Sequence, residues 1–157
     1  MGPLRANTAA VLAVKGDAVM PFGNSLGEFS LKAMSVKQVD VGGGQLRIEI
    51  DYKGEVSGEG AGSHYGTFTL VSGGDPDRPM PWSYVGTTLT TGGAAIAVIG
   101  SGLAQRTGQG QKMRCRGVVR QSTTDAKLAM LNNLIAATES ELDPATDTVK
   151  GVSCEWK

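Results

Sequence analysis

Leu46-Arg-Ile-Glu-Ile-Asp-Tyr-Lys53 decides the fold. Apolar side chains stand at 46, 48, 50 and 52 and charged ones at 47, 49, 51 and 53, the period of two of an extended strand. One face is apolar and the other charged, as in a strand half-buried in an antiparallel sheet. Glycines bound the stretch, Gly42-Gly43-Gly44 ahead of it and Gly58, Gly60 and Gly62 behind. Further clusters follow at Gly73-Gly74, Gly92-Gly93, Gly108 and Gly110. Glycine makes up 23 of 157 residues, about twice its ordinary share, and at this spacing it marks strand-to-strand turns.

Moving towards the N-terminus, the apolar phase runs through Phe29 and Leu31 and then slips to Met34 and Val36. A one-residue slip inside a strand predicts a β-bulge. Residues 1–26 read as an N-terminal arm or a first short strand over 8–15, and 27–157 as a single domain. Towards the C-terminus, strands are predicted over His64–Val71, Trp82–Thr91, Ala94–Gln105, Gln111–Ser122 and Thr148–Trp156. Residues 72–81 carry three prolines and form an irregular loop. Thr124–Asp143 is ambiguous in period; a short helix is expected over 125–131, a break at Asn132-Asn133, then a strand to Leu142. The fold class is therefore all-β. With one short helix to cover it, a sheet of about eight hairpin-linked strands must cover itself, as an antiparallel up-and-down β-barrel.

Composition excludes several functions. Lys+Arg and Asp+Glu both total 15, so no cationic excess points to nucleic acid. The apolar run Ala9–Val14 is closed too soon by Lys15 and Asp17 for a secretory core, no window has the length of a membrane span, and no asparagine stands in a glycosylation sequon. These readings point to a cytoplasmic protein with no membrane partner. Cys115 and Cys154 are too few for a disulfide framework and not spaced as metal ligands; free buried thiols are expected, or one bridge if their strands adjoin. Gly58-Glu-Gly60 and Gly100-Ser-Gly102 do not complete a dinucleotide fingerprint, and Asp75 and Asp77 lack the spacing of a calcium loop. No cofactor and no metal are expected.

Candidate chemistry is sparse. His64 is the sole histidine, beside Tyr65: a general base at a barrel rim, or an exposed residue at a hairpin end. Glu139, with Glu141 and Glu155 near it, is an acid-base carboxylate if it points inward and a solvated charge if it points out. Tyr52, Tyr65, Trp82 and Tyr84 suit the wall of a pocket for a hydrophobic small molecule, with Met113 and Cys115 on the apolar face of their strand. Phe68 and Trp156 are expected in the core. Opposite Met113 and Cys115 stands the row Lys112, Arg114, Arg116 and Arg120, read as a solvated face. Leu89, Ile96, Val98 and Ile99 lie in a hairpin with few charges, which suggests a homo-oligomer. Gly86, Gly100, Gly102 and Gly117 fall inside strands, where they mark bends or close approach of a ligand.

Trp82-Ser-Tyr-Val-Gly86, Gly100-Ser-Gly102, the ending Lys150-Gly-Val-Ser-Cys-Glu-Trp156 and Gly27-Glu-Phe-Ser-Leu-Lys32 resemble a group of small uncharacterised bacterial proteins. That group is similar to the allene oxide cyclase and dirigent barrels of the calycin-like set. The resemblance covers about residues 27–157 and implies an eight-stranded antiparallel barrel, often oligomeric, whose apolar cavity shapes a reactive intermediate. A cyclase- or isomerase-like enzyme without cofactor is the expectation; a non-catalytic ligand carrier or an oligomeric interaction module is the alternative. No catalytic residue of a plant cyclase or dirigent protein has a counterpart here.

Overall fold

Each strand pairs with the next in sequence, and the last returns to the first. In the computed structural model, which describes residues 23–108 and 110–156, the order is β1 (Ser25–Gly42), β2 (Gln45–Val56), β3 (Gly62–Ser72), β4 (Met80–Thr90), β5 (Ala95–Arg106), β6 (Met113–Ser122), β7 (Ile135–Asp143) and β8 (Thr148–Glu155). All ladders are antiparallel, and β8 against β1 closes the barrel. The expected strand over residues 8–15 lies outside the described residues.

The bulge falls where the phase slips. Ala33 pairs with Tyr52 and Ser35 with Asp51, leaving Met34 as the extra residue. Past it Val36 stands opposite Ile50 yet is 56% exposed, while Ser35 turns outward and its hydroxyl donates to the Asp51 carboxylate at 2.6 Å.

The single helix among the described residues, η1 (Ala126–Asn133), is a 3-10 helix that runs two residues beyond the expected end. Asp125 caps it by accepting from the Lys127 N–H at 2.8 Å. Asn132 accepts from the Thr123 N–H and donates to the Thr123 carbonyl, at 2.7 and 3.0 Å, so the break expected at Asn132-Asn133 is a hydrogen-bonded anchor. Buried Leu131 packs on Ile96 and Val98 at one end of the barrel.

The two ends of the barrel differ. Leu70, Met80, Ala104, Cys115, Leu142 and Val149 fill the end bounded by the Gly42–Gly44 turn and the loop 73–79. The other end, where η1 sits, is incompletely filled. Two expectations are corrected. Trp156 follows β8 and is 49% exposed, because the barrel interior ends before it. Ile96 and Val98 are buried inside the barrel, because they share the even phase of β5 with Ala104; only Leu89 and Ile99 of that group face outward. Cys115 and Cys154 are free and buried. No helix among the described residues is long and apolar enough to cross a membrane.

Candidate functional site

The register of β3 on β4 sets Gly66 against Gly86, and with it His64 against Thr88 and Phe68 against Tyr84. All six face inward, since their even phase is that of buried Leu70 and Trp82. Side chains on one strand face stand two residues apart, so Tyr84 can lean back over the glycine pair towards His64. The hydrogen-bonded row that results is Thr88, His64, Tyr84. Thr88 Oγ1 lies 2.7 Å from His64 Nδ1, and the Tyr84 hydroxyl 2.5 Å from His64 Nε2. The imidazole and phenol rings stack with centroids 5.6 Å apart and planes 18° apart.

The glycines are the reason this row fits. A Cβ on Gly66 would overlap the Tyr84 hydroxyl, and one on Gly86 would come within 2.8 Å of His64 Nε2. Trp82 has a similar bed: a Cβ on Gly117 would lie 2.5 Å from its indole Cζ2, and one on Gly100 3.4 Å from its Cζ3. Trp82 stacks in turn on Phe68, with centroids 5.5 Å apart. The in-strand glycines thus hold ring-sized hollows in the barrel wall.

These rings wall a cavity of about 130 Å³ in the half of the barrel that carries η1. His64, Tyr84, Thr88, Tyr52, Phe68 and Trp82 line it on one side, and Leu26, Phe29, Val119, Leu131 and Ala136 are among its apolar residues. Thr138, Ser140, Ser153 and Gln121 add polar groups. Trp82 is buried, and its indole Nε1 has no hydrogen-bond partner. An orphaned buried donor of this kind is costly, and a ligand acceptor would relieve it.

Burial sets the charge states. It pulls the His64 imidazole down to about 4, so the ring is neutral at neutral pH. Burial, and then the neighbouring Tyr52 phenol, lifts Tyr84 above the usual phenol range; Tyr52 is lifted too, by burial first and then by Cys115 and Asp147. A neutral ring between two hydroxyls has two proton arrangements. In one, Tyr84 O–H donates to Nε2 and Nδ1–H donates to Thr88. In the other, Thr88 O–H donates to Nδ1 and Nε2–H donates to Tyr84, whose own proton is then free to point into the cavity.

The residues singled out from sequence fall into three places. His64, Tyr52, Trp82 and Tyr84 line the cavity. Met113 and Cys115 pack in the filled half, where burial pushes the Cys115 thiol up to about 12. Tyr65 is 52% exposed on the outer face, because its odd phase in β3 opposes that of His64. Glu139 also stands outside: it accepts from Arg116 Nε at 3.0 Å and lies 3.8 Å from Arg114 Nε, so it is an ion-pair partner of the basic row rather than a cavity acid. Lys112 bonds Glu141 in the same way, at 3.2 Å. Thr88 is absent from the sequence-derived set, although it holds the second nitrogen of His64. Among the described residues, no three His, Cys, Asp or Glu side chains are grouped to hold a metal ion.

No protein-family model matches the chain, and no curated protein does. Solved structures do. A β-barrel-like protein from Acinetobacter baumannii superposes with a TM-score of 0.72 at 14% identity, over 85% of this chain and 94% of that one. A protein of unknown function from Clostridium acetobutylicum gives 0.70 at 16% identity, over 85% and 98%. An enzyme from Penicillium herquei gives 0.57 at 17% identity, over 88% and 99%. At such identities the likeness is one of fold: this chain, a closed eight-stranded antiparallel barrel, superposes on proteins of which one is described as β-barrel-like.

Proposed function

We propose that the protein binds a small, largely apolar compound with at least one hydrogen-bond acceptor in the η1-end cavity, and catalyses its isomerisation or cyclisation without a cofactor. The observation that carries this reading is the neutral, buried His64 held between Thr88 and Tyr84 at the cavity wall. A cavity of this size is close to one of about 150 Å³ known to take benzene, so a single ring or short branched segment fits inside and the remainder extends past η1. The orphaned Trp82 Nε1 calls for an acceptor oxygen or nitrogen on the ligand.

In the first proton arrangement, the Tyr84 oxygen takes a proton from the ligand as its own proton passes to Nε2. The imidazolium so formed is strongly disfavoured by burial, so the proton returns to the ligand at another atom. Atoms balance with no water or co-reactant consumed, which is the stoichiometry of an isomerase. The apolar walls hold one conformer and exclude water. The resemblance of the sequence motifs to a group similar to the allene oxide cyclase and dirigent barrels supports this reading, as does, at the level of fold, the enzyme among the solved structures.

The test is native mass spectrometry of protein purified from its own cells, followed by incubation of the released compound with wild type and Tyr84→Phe. An isomer of unchanged mass formed by wild type, and formed about 10²–10⁴-fold more slowly by the variant, is expected. Equal rates in the two proteins would overturn the role of Tyr84. Release of the compound unchanged by wild type would make the protein a carrier.

A further inference from the structure

The outer surface of the barrel is divided by charge. The outward residues of β3, β4 and β5 are the odd-numbered ones of Ser63–Val71, Pro81–Leu89 and Ala95–Leu103, and none of them is charged. The corresponding row of β2 is Arg47, Glu49, Asp51, Lys53 and Glu55, and β6 presents Arg114, Arg116 and Arg120. In the middle of the uncharged face Val85 pairs directly with Ile99, 65% and 52% exposed, with Tyr65, Leu89 and Leu103 around them.

We propose that this face packs against the same face of a second copy of the chain. Two arguments select that occupant. In a two-fold packing the same patch is buried on both copies, and a patch without charges desolvates no ion on either side. A face wholly without charges is suited to meeting itself, and needs no complementary partner. The second argument is area. Three strands of this length at ~4.8 Å spacing and ~3.4 Å rise cover roughly 500 Å² in plan, and more as accessible surface because the side chains stand proud. That reaches the low end of specific interfaces, about 600–800 Å² per partner, so a dimer that dissociates on dilution is expected. A lipid surface fits less well, because the flanking strands carry five charges on β2 and three arginines on β6 where a lipid-facing barrel carries an apolar band.

Light scattering coupled to size exclusion, over a range of concentrations, tests the proposal. Wild type is expected at twice 16.2 kDa when concentrated and to fall towards 16.2 kDa on dilution. Val85→Lys and, independently, Ile99→Lys should halve the mass at high concentration while melting and far-UV circular dichroism stay those of a folded barrel. Ser30→Lys, which adds the same charge on β1 opposite Glu55, should leave the dimer intact. A single-chain mass for wild type at every concentration would overturn the proposal. So would an unchanged mass in both folded lysine variants, or an assembly with an odd number of chains.

Discussion

Gly66 faces Gly86 directly across the β3–β4 ladder, and the space left by their two missing side chains is occupied by the ring and hydroxyl of Tyr84 and the edge of His64. Gly66→Ala should therefore be destabilising by about 1–3 kcal/mol, since the added methyl overlaps the Tyr84 hydroxyl and the barrel wall leaves it nowhere to go. Urea unfolding measures the loss. Gly73→Ala, with nothing near its would-be Cβ, is the control and should be within about 0.5 kcal/mol of wild type.

Acid should weaken the fold through His64. Its folded value, about 4, lies below the 6.5 of the free side chain, so between these limits the unfolded chain binds the extra proton. The contribution is complete above pH 6.5 and disappears as pH falls towards 4; its ceiling for a buried ring is about 3 kcal/mol. Unfolding measured at about pH 7 and about pH 4.5 should show a steeper loss in wild type than in His64→Gln.

Thr88→Val keeps the shape of the side chain and removes the hydroxyl from His64 Nδ1. A buried ring nitrogen left without its partner should cost about 1–3 kcal/mol. Combined with Tyr84→Phe, the two losses should be non-additive, because both hydroxyls act on one ring. A double-mutant cycle in urea reads the coupling.

Glu139→Gln should change stability by no more than about 1 kcal/mol, since its ion pairs with Arg114 and Arg116 lie on the solvated outer face. It should also leave ligand binding in the cavity unchanged, as isothermal titration would show.

Cys115 should resist alkylation in the folded protein. Its thiol is buried and pushed up to about 12, so almost no thiolate exists near neutral pH. Mass spectrometry after iodoacetamide treatment should show no label at Cys115 until denaturant is added.

The barrel was legible in the sequence because a half-buried antiparallel strand writes its two faces into alternate residues, as Leu46–Lys53 does. The Met34 bulge was legible for the same reason, as a slip of phase. Trp156 was misplaced because alternation tells which face a residue is on and not whether the sheet still continues there. The site was only partly legible. Aromatic residues with polar tips directed attention to Tyr52, Trp82 and Tyr84, but nothing near His64 names its partners. These come from β4, twenty and twenty-four residues on, and the register that brings them there depends on a loop, 73–79, too irregular to fix it from composition. With that register known, Thr88 falls opposite His64 at once. Tyr65 and Glu139 were assigned by residue type, and their odd phase was the signal against both.

Leu31, Tyr52, Phe68, Trp82 and Val149 belong at once to the packed core and to the wall of the cavity. A substitution at any of the five therefore changes the pocket and the packing together. Reshaping the pocket without loosening the scaffold is left to wall residues outside the core, such as Leu26, Gln121 and Thr138.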